Sequence, residues 1–166
     1  KKINDNVGIP ILIYNIPSRS VIDMSVDTMA KLYELKNIIG VKDATGDLQR
    51  VNEQLKVMGP DFIQLTGNDD NAFEFNKRGG VGAISVTANI AARLSSDFQK
   101  ACVADLNKAT ELDKILQPLH SSMFIESNPS PVKYAASLLG MCNPNVRLPL
   151  VEIRDETKKR VSEALK

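Results

Sequence analysis

Apolar and polar positions alternate in blocks along this chain, and four of the blocks are short apolar runs of strand character. They are Ile11-Leu12-Ile13-Tyr14-Asn15-Ile16, the stretch from Ile38 to Ala44, Phe62-Ile63-Gln64-Leu65-Thr66, and Val81-Gly82-Ala83-Ile84-Ser85-Val86. Apolar runs of this length bounded by turn residues predict strands. Between them the period changes to that of a helix. Met29, Leu32, Tyr33 and Leu35 fall on one helical face, as do Leu48, Val51, Leu55 and Met58, while Ala72, Phe73 and Phe75 mark a shorter helix. Strands alternating with helices predict an α/β fold with a parallel sheet of right-handed crossover units.

Beyond the fourth run the pattern is helical throughout. Ile90, Leu94, Phe98, Cys102 and Leu106 recur every four residues, and Leu112, Ile115, Leu116, Leu119 and Met123 form a second stripe, predicting two long helices. A third is expected after Asn128-Pro129-Ser130-Pro131, running to Gly140, because proline in the first helical turn sacrifices no hydrogen bond. From Arg154 onward a charged helix closes the chain. The organisation read from this pattern is a βα region over residues 1–88 and a helical region over residues 89–166.

Four βα units fit either an open doubly wound sheet or part of a (β/α)8 barrel. No Gly-x-Gly-x-x-Gly follows a strand, which weakens the dinucleotide-binding reading. A whole barrel typically needs about 250 residues, and this sequence has 166. The count is that of half a barrel with a helical extension. The opening Lys1-Lys2-Ile3-Asn4 carries no initiator Met, and no element is expected before the first strand, so the sequence reads as a piece of a longer protein.

Composition narrows the partners. With 21 Lys and Arg against 20 Asp and Glu, the chain shows no basic excess for nucleic acid. No apolar run approaches membrane-spanning length and no signal-peptide pattern is seen. Cys102 and Cys142 lack any neighbouring Cys or His at metal-ligand spacing, so two reduced thiols in a cytoplasmic protein are expected. His120 stands alone on a helical pattern and reads as a partly buried or surface histidine.

One position departs from the apolar pattern in a chemically useful way. Lys42 interrupts the second run, in Gly40-Val41-Lys42-Asp43-Ala44-Thr45-Gly46. Burying an unpaired ammonium is costly, and burial favours the neutral amine, a nucleophile that forms Schiff bases with carbonyl compounds. In either fold ligands gather at the carboxyl ends of the strands. Tyr14 ends the first run, and parallel neighbours about 4.8 Å apart can direct two side chains at one small molecule. A phenol beside an amine can move the protons that imine formation requires. Arg19, in the loop Pro17-Ser18-Arg19-Ser20, suits capture of a substrate carboxylate.

At the third strand's end, Thr66-Gly67-Asn68-Asp69-Asp70 pairs two carboxylates, but no His or third acid lies nearby, so helix capping is the favoured reading over a metal site. Gly67 would let backbone approach a ligand. Gly79-Gly80-Val81-Gly82 precedes a strand and lacks a Gly-Lys-Ser/Thr ending, so it reads as a helix terminator rather than a phosphate cradle. The backbone carbonyl of Ile84, near the fourth strand's carboxyl end, could face a ligand.

Taken in order and spacing, Tyr14-Asn15-Ile16-Pro17-Ser18-Arg19, Gly40 to Gly46, Gly82-Ala83-Ile84-Ser85-Val86-Thr87-Ala88-Asn89 and Asn128-Pro129-Ser130-Pro131-Val132-Lys133 resemble the dihydrodipicolinate synthase family over essentially the whole chain. The resemblance implies a class I Schiff-base aldolase-type (β/α)8 barrel with a C-terminal helical extension, acting in lysine and diaminopimelate biosynthesis. It implies that Lys42 forms an imine with pyruvate, that Tyr14 relays protons, and that Ile84 contacts pyruvate through its backbone. Arg19 would hold the carboxylate of aspartate semialdehyde, and no cofactor or metal is implied. Related aldolases acting on N-acetylneuraminate or 2-keto-3-deoxy sugar acids share the Tyr and Lys but generally lack an arginine at the position of Arg19.

The resemblance also implies a cytoplasmic homotetramer built from tight dimers. It places Tyr14 on the family's fifth strand, so the N-terminal half of the barrel, with other members of the proton relay, lies outside this sequence. Where the family usually continues Arg-Thr-Gly, this chain reads Arg19-Ser20-Val21. A valine is expected to avoid positive φ, so the loop behind Arg19 is expected to differ.

Overall fold

The computed structural model describes every residue from Lys1 to Lys166 and divides into two units, Lys1–Ile84 and Ser85–Lys166. The division falls ahead of the boundary after residue 88 read from the sequence. The fourth strand ends early, and a 3-10 turn over Thr87–Asn89 already packs with the helix that follows it.

The first unit opens with a short helix, α1 (Lys2–Asn6), where no element was expected. Then come β1 (Ile11–Asn15), α2 (Pro17–Ser20), α3 (Val26–Tyr33), β2 (Ile38–Asp43), α4 (Gln49–Met58), β3 (Ile63–Thr66), α5 (Ala72–Lys77) and β4 (Gly82–Ala83). The strands form one parallel sheet in the order β1-β2-β3-β4. Each strand thus pairs with its sequence neighbour through a helical crossover, as the alternating pattern predicts.

Local chemistry sets the helix ends. Ser25 caps α3, its hydroxyl accepting the Thr28 amide at 3.2 Å. Gly79, just past α5, sits at φ 111°, a conformation a side chain would resist, and Gly80 N donates to Phe75 O at 3.1 Å. Those glycines end a helix, as the sequence suggests. The fourth strand is shorter than its six-residue apolar run: β4 pairs only Gly82 and Ala83 with Leu65 and Thr66 of β3.

Strand alternation gives the sheet two different faces. Ile13, Val41 and Gln64 face the helices, where Met29, Val41 and Phe62 form a core joined by Ile13, Met24, Tyr33 and Met58. Tyr33 meets Phe62 edge-on with ring centroids 5.0 Å apart. Leu12, Tyr14 and Ile84, on the other face, are exposed.

The second unit contains α6 (Ala92–Ala104), α7 (Leu106–Met123), α8 (Ser130–Leu138) and α9 (Asp155–Ala164). The every-four stripe from Ile90 to Leu106 is not one helix. Asp105 breaks it by capping α7, its Oδ1 accepting the amides of Asn107 at 3.0 Å and Lys108 at 3.1 Å. In α7, Leu112, Leu116, Leu119 and Met123 are buried, whereas Ile115 is 58% exposed. Met123, Val132, Ala135 and Val161 form the core that joins α7, α8 and α9. No helix is long and apolar enough to cross a membrane.

His120 is neither on the surface nor half-buried. It is 3% exposed, and its Nδ1 lies 2.7 Å from Thr87 Oγ1 in a hydrogen bond that ties α7 to the 3-10 turn.

Candidate active site

The parallel register sets Tyr14 directly opposite Lys42 at the carboxyl ends of β1 and β2. Both side chains leave the face of the sheet that carries no helices, since Val41 and Asp43 take the buried positions on the helical side. Lys42 Nζ lies 3.9 Å from the centroid of the Tyr14 ring. The amine meets the face of the ring, which leaves the phenol oxygen for another group. The lysine is not buried as the apolar run predicts: Lys42 is partly exposed and Tyr14 is 50% exposed, because alternation turns both to the uncovered face.

Gly67 begins the turn after β3 and borders the same lysine. A Cβ added there would fall 3.0 Å from Lys42 Cε and 2.8 Å from Ala44 Cβ. The space at Gly67 is therefore used by the stem of Lys42. Ile84 follows β4; its amide donates to Thr66 O at 2.9 Å, and alternation from Gly82, opposite Leu65, puts it on the Lys42 face.

Arg19 occupies the last turn of α2, immediately after β1, and is exposed. The valine does not avoid positive φ, as its side chain leads one to expect. Val21 adopts φ 67°, ψ −27°, the left-handed conformation that suits the glycine of the family pattern. It closes α2 through Val21 N donating to Pro17 O at 2.9 Å, and Ser20 Oγ adds a bond to Ile16 O at 2.8 Å. Hydrogen bonding thus holds the turn against the steric preference of valine.

Neither Asn68 nor Asn71 caps the turn and helix after β3 through its side chain, contrary to the capping expected there. Asp69 instead lies buried within a 3-10 turn over Asp69–Asn71, while Thr66 Oγ1 accepts the Asn68 amide at 3.0 Å and donates to Asn71 Oδ1.

A buried polar group behind the strand ends escaped the sequence reading. Asn15 and Asp43, paired in register, point to the helical side and are 2% and 6% exposed. Asp43 Oδ1 accepts the Thr45 amide at 2.8 Å and the Thr45 hydroxyl at 2.6 Å, and Asp43 Oδ2 accepts Arg50 Nε at 3.1 Å. The only sign of it in the sequence is that each strand ends on a polar residue beside its candidate reactive one.

Parallel βα units with a lysine and a tyrosine opposed at the strand ends define an α/β protein of the barrel class, here a partial barrel. The chain belongs to the dihydrodipicolinate synthetase family, whose sequence model matches residues 1–166. It is 73% identical to a 4-hydroxy-tetrahydrodipicolinate synthase of Pelagibacter ubique, over 99% of this chain and 58% of that protein. A protein of the same description from Methylobacterium radiotolerans is 56% identical, over 100% of this chain and 56% of its own length.

Among solved structures, dihydrodipicolinate synthase from Aquifex aeolicus superposes with a TM-score of 0.96 at 40% identity, covering 99% of this chain and 57% of that one. The Thermotoga maritima enzyme gives 0.95 at 32% identity, over 99% and 58%. The chain spans little more than half the length of the relatives it matches.

Proposed function

We propose that the protein containing this chain condenses pyruvate with L-aspartate 4-semialdehyde to 4-hydroxy-tetrahydrodipicolinate through a Schiff base on Lys42. The observation that carries the reading is the amine of Lys42 held 3.9 Å over the Tyr14 ring at the carboxyl ends of adjacent strands. Membership of the family supports it. Lys42 Nζ attacks the ketone carbon of pyruvate, and the carbinolamine loses water to give the imine. Tyr14 moves the protons this requires. Loss of a methyl proton converts the imine to an enamine, whose carbon attacks the aldehyde. Transimination by the substrate's own amine then closes the ring and frees Lys42.

Arg19, next along the chain from Tyr14, binds the carboxylate of the semialdehyde as a bidentate donor. The backbone of Ile84 contacts pyruvate, and Gly67 leaves room for the reacting lysine. The imine serves as the electron sink, so the reading calls for no cofactor or metal. Its partners are the N-terminal half of the barrel, which would cover the exposed face bearing Leu12, Tyr14 and Ile84, and further copies in a cytoplasmic homotetramer.

Borohydride reduction in the presence of pyruvate tests the reading on the full-length protein. A pyruvate adduct on Lys42 is expected; an unmodified Lys42 would refute it. Turnover of aspartate semialdehyde, compared with N-acetylneuraminate and 2-keto-3-deoxy sugar acids, separates the synthase from a related aldolase. A synthase loses turnover of the semialdehyde on Arg19→Ala.

A further inference from the structure

On the helical side of the sheet, behind Tyr14 and Lys42, the guanidinium of Arg50 on α4 joins two segments, the end of β2 and the loop before α3, and reaches the end of β1 through Asp23. Nε donates to Asp43 Oδ2 at 3.1 Å, Nη1 to Asp23 Oδ2 at 3.2 Å, and Nη2 to the Met24 carbonyl. Asp23 is gripped from its other oxygen as well, Oδ1 accepting Asn15 Nδ2 at 2.8 Å, while Asn15 Oδ1 accepts the Met24 amide at 3.2 Å. Asn15 adjoins Tyr14, Asp43 adjoins Lys42, and Asp23-Met24 ends the loop that starts at Pro17 and carries Arg19. Every segment the guanidinium reaches thus carries one of the residues assigned to the reaction.

A planar guanidinium presents its donors at fixed angles, so acceptors bound to different nitrogens are fixed relative to one another. Stability alone gives little reason for such a group: a buried ion pair is often matched by apolar side chains of similar volume. Directional control is what apolar packing would not supply. The geometry points to Arg50 as a positioning residue of the proposed condensation, with Asp23 and the Met24 carbonyl as its links to the Arg19 loop. Through those links Arg50 locks the loop to the ends of β1 and β2 and sets where the acceptor's carboxylate is held relative to the Lys42 imine. The inference rests on the function proposed above.

The loop can be loosened without disturbing the strand ends, its Met24 contacts to Arg50 and Asn15 remaining. Asp23 offers one oxygen to Asn15 and the other to Arg50, whereas asparagine has a single acceptor oxygen, so Asp23→Asn must release one partner while leaving Arg50 on Asp43. Arg50→Lys keeps a charge beside Asp43 but loses the fork. In the full-length protein, Asp23→Asn is expected to trap pyruvate on Lys42 at a rate within about twofold of the unmodified protein. KM for aspartate semialdehyde should rise about tenfold and kcat should change less than about threefold. Arg50→Lys should shift KM in the same direction.

Folded variants with unchanged KM would overturn the inference, as would a trapping rate that falls in proportion to the rise in KM. Should Arg50→Lys fail to fold, Asp23→Asn decides alone, since Asp23 is half exposed. An unmodified protein that traps no pyruvate refutes the proposed function, and the inference falls with it. One that traps pyruvate while both variants behave normally refutes the inference alone.

Discussion

Lys42 Nζ rests on the face of the Tyr14 ring, 3.9 Å from its centroid, and not against the phenol oxygen. The ring and the hydroxyl of Tyr14 are therefore separable: the ring meets the amine, and the proposed function gives the hydroxyl the task of moving protons on the substrate. Tyr14→Phe keeps the first and removes the second. The expected outcome is a lysine that still forms the pyruvate adduct, more slowly, with kcat for the condensation lowered about a hundredfold or more. Steady-state kinetics beside borohydride trapping checks this; a variant with undiminished kcat would remove Tyr14 from the proton relay.

Gly67 gives a steric test of the same lysine. A methyl group there would stand 3.0 Å from Lys42 Cε and 2.8 Å from Ala44 Cβ, closer than carbon atoms ordinarily approach. The lysine stem can swing away, but the Ala44 contact is tied to the chain after β2. Gly67→Ala should therefore destabilise the protein by about 1–3 kcal/mol and slow adduct formation about tenfold or more by displacing the amine. Thermal unfolding and the trapping rate read the two effects independently.

Val21 holds φ 67° with its side chain 90% exposed, so it carries the strain of the left-handed region with no burial to offset it. For a residue with a Cβ that strain costs about 1–2 kcal/mol, and glycine gives back part of the gain through the freer unfolded chain. Val21→Gly is expected to stabilise the protein by about 0.5–1 kcal/mol, read as a higher denaturation midpoint with an unchanged slope. No gain would mean that neighbouring contacts favour the valine.

The pairing of Tyr14 with Lys42 was legible because each of the first two apolar runs delivers one candidate residue to the same end of a parallel sheet, where register leaves little freedom. Places where a local polar group overrides the apolar spacing were not. Asp105 splits what reads as one helix, since a four-residue repeat continues through a cap without interruption. Ile115 lies one residue, hence roughly a hundred degrees, round from Leu116, and falls on the solvent side of an otherwise correct stripe. The cluster of Asn15, Asp23, Asp43 and Arg50 was illegible for a different reason. These residues are scattered along the sequence among ordinary charges, and only folding brings them into one hydrogen-bonded group.

Glu126 secures the start of α9: its Oε1 accepts the Arg154 amide at 2.9 Å. The Thr157 hydroxyl above all, and then the Arg154 amide, hold its carboxyl below the usual glutamate range. A carboxylate whose pKa is lower folded than unfolded adds stability at pH values above its unfolded pKa of about 4.3, and that contribution disappears as pH falls through the lower folded value. Glutamine keeps one acceptor oxygen but carries no charge and does not titrate. Glu126→Gln should therefore melt below the unmodified protein near about pH 6, and the gap should close as the pH is lowered to about 3. Melting temperatures of the two full-length proteins across that range make the check. A gap that stays constant would show that the charge of Glu126 contributes nothing to holding α9, and that its hydrogen bonds act as neutral ones.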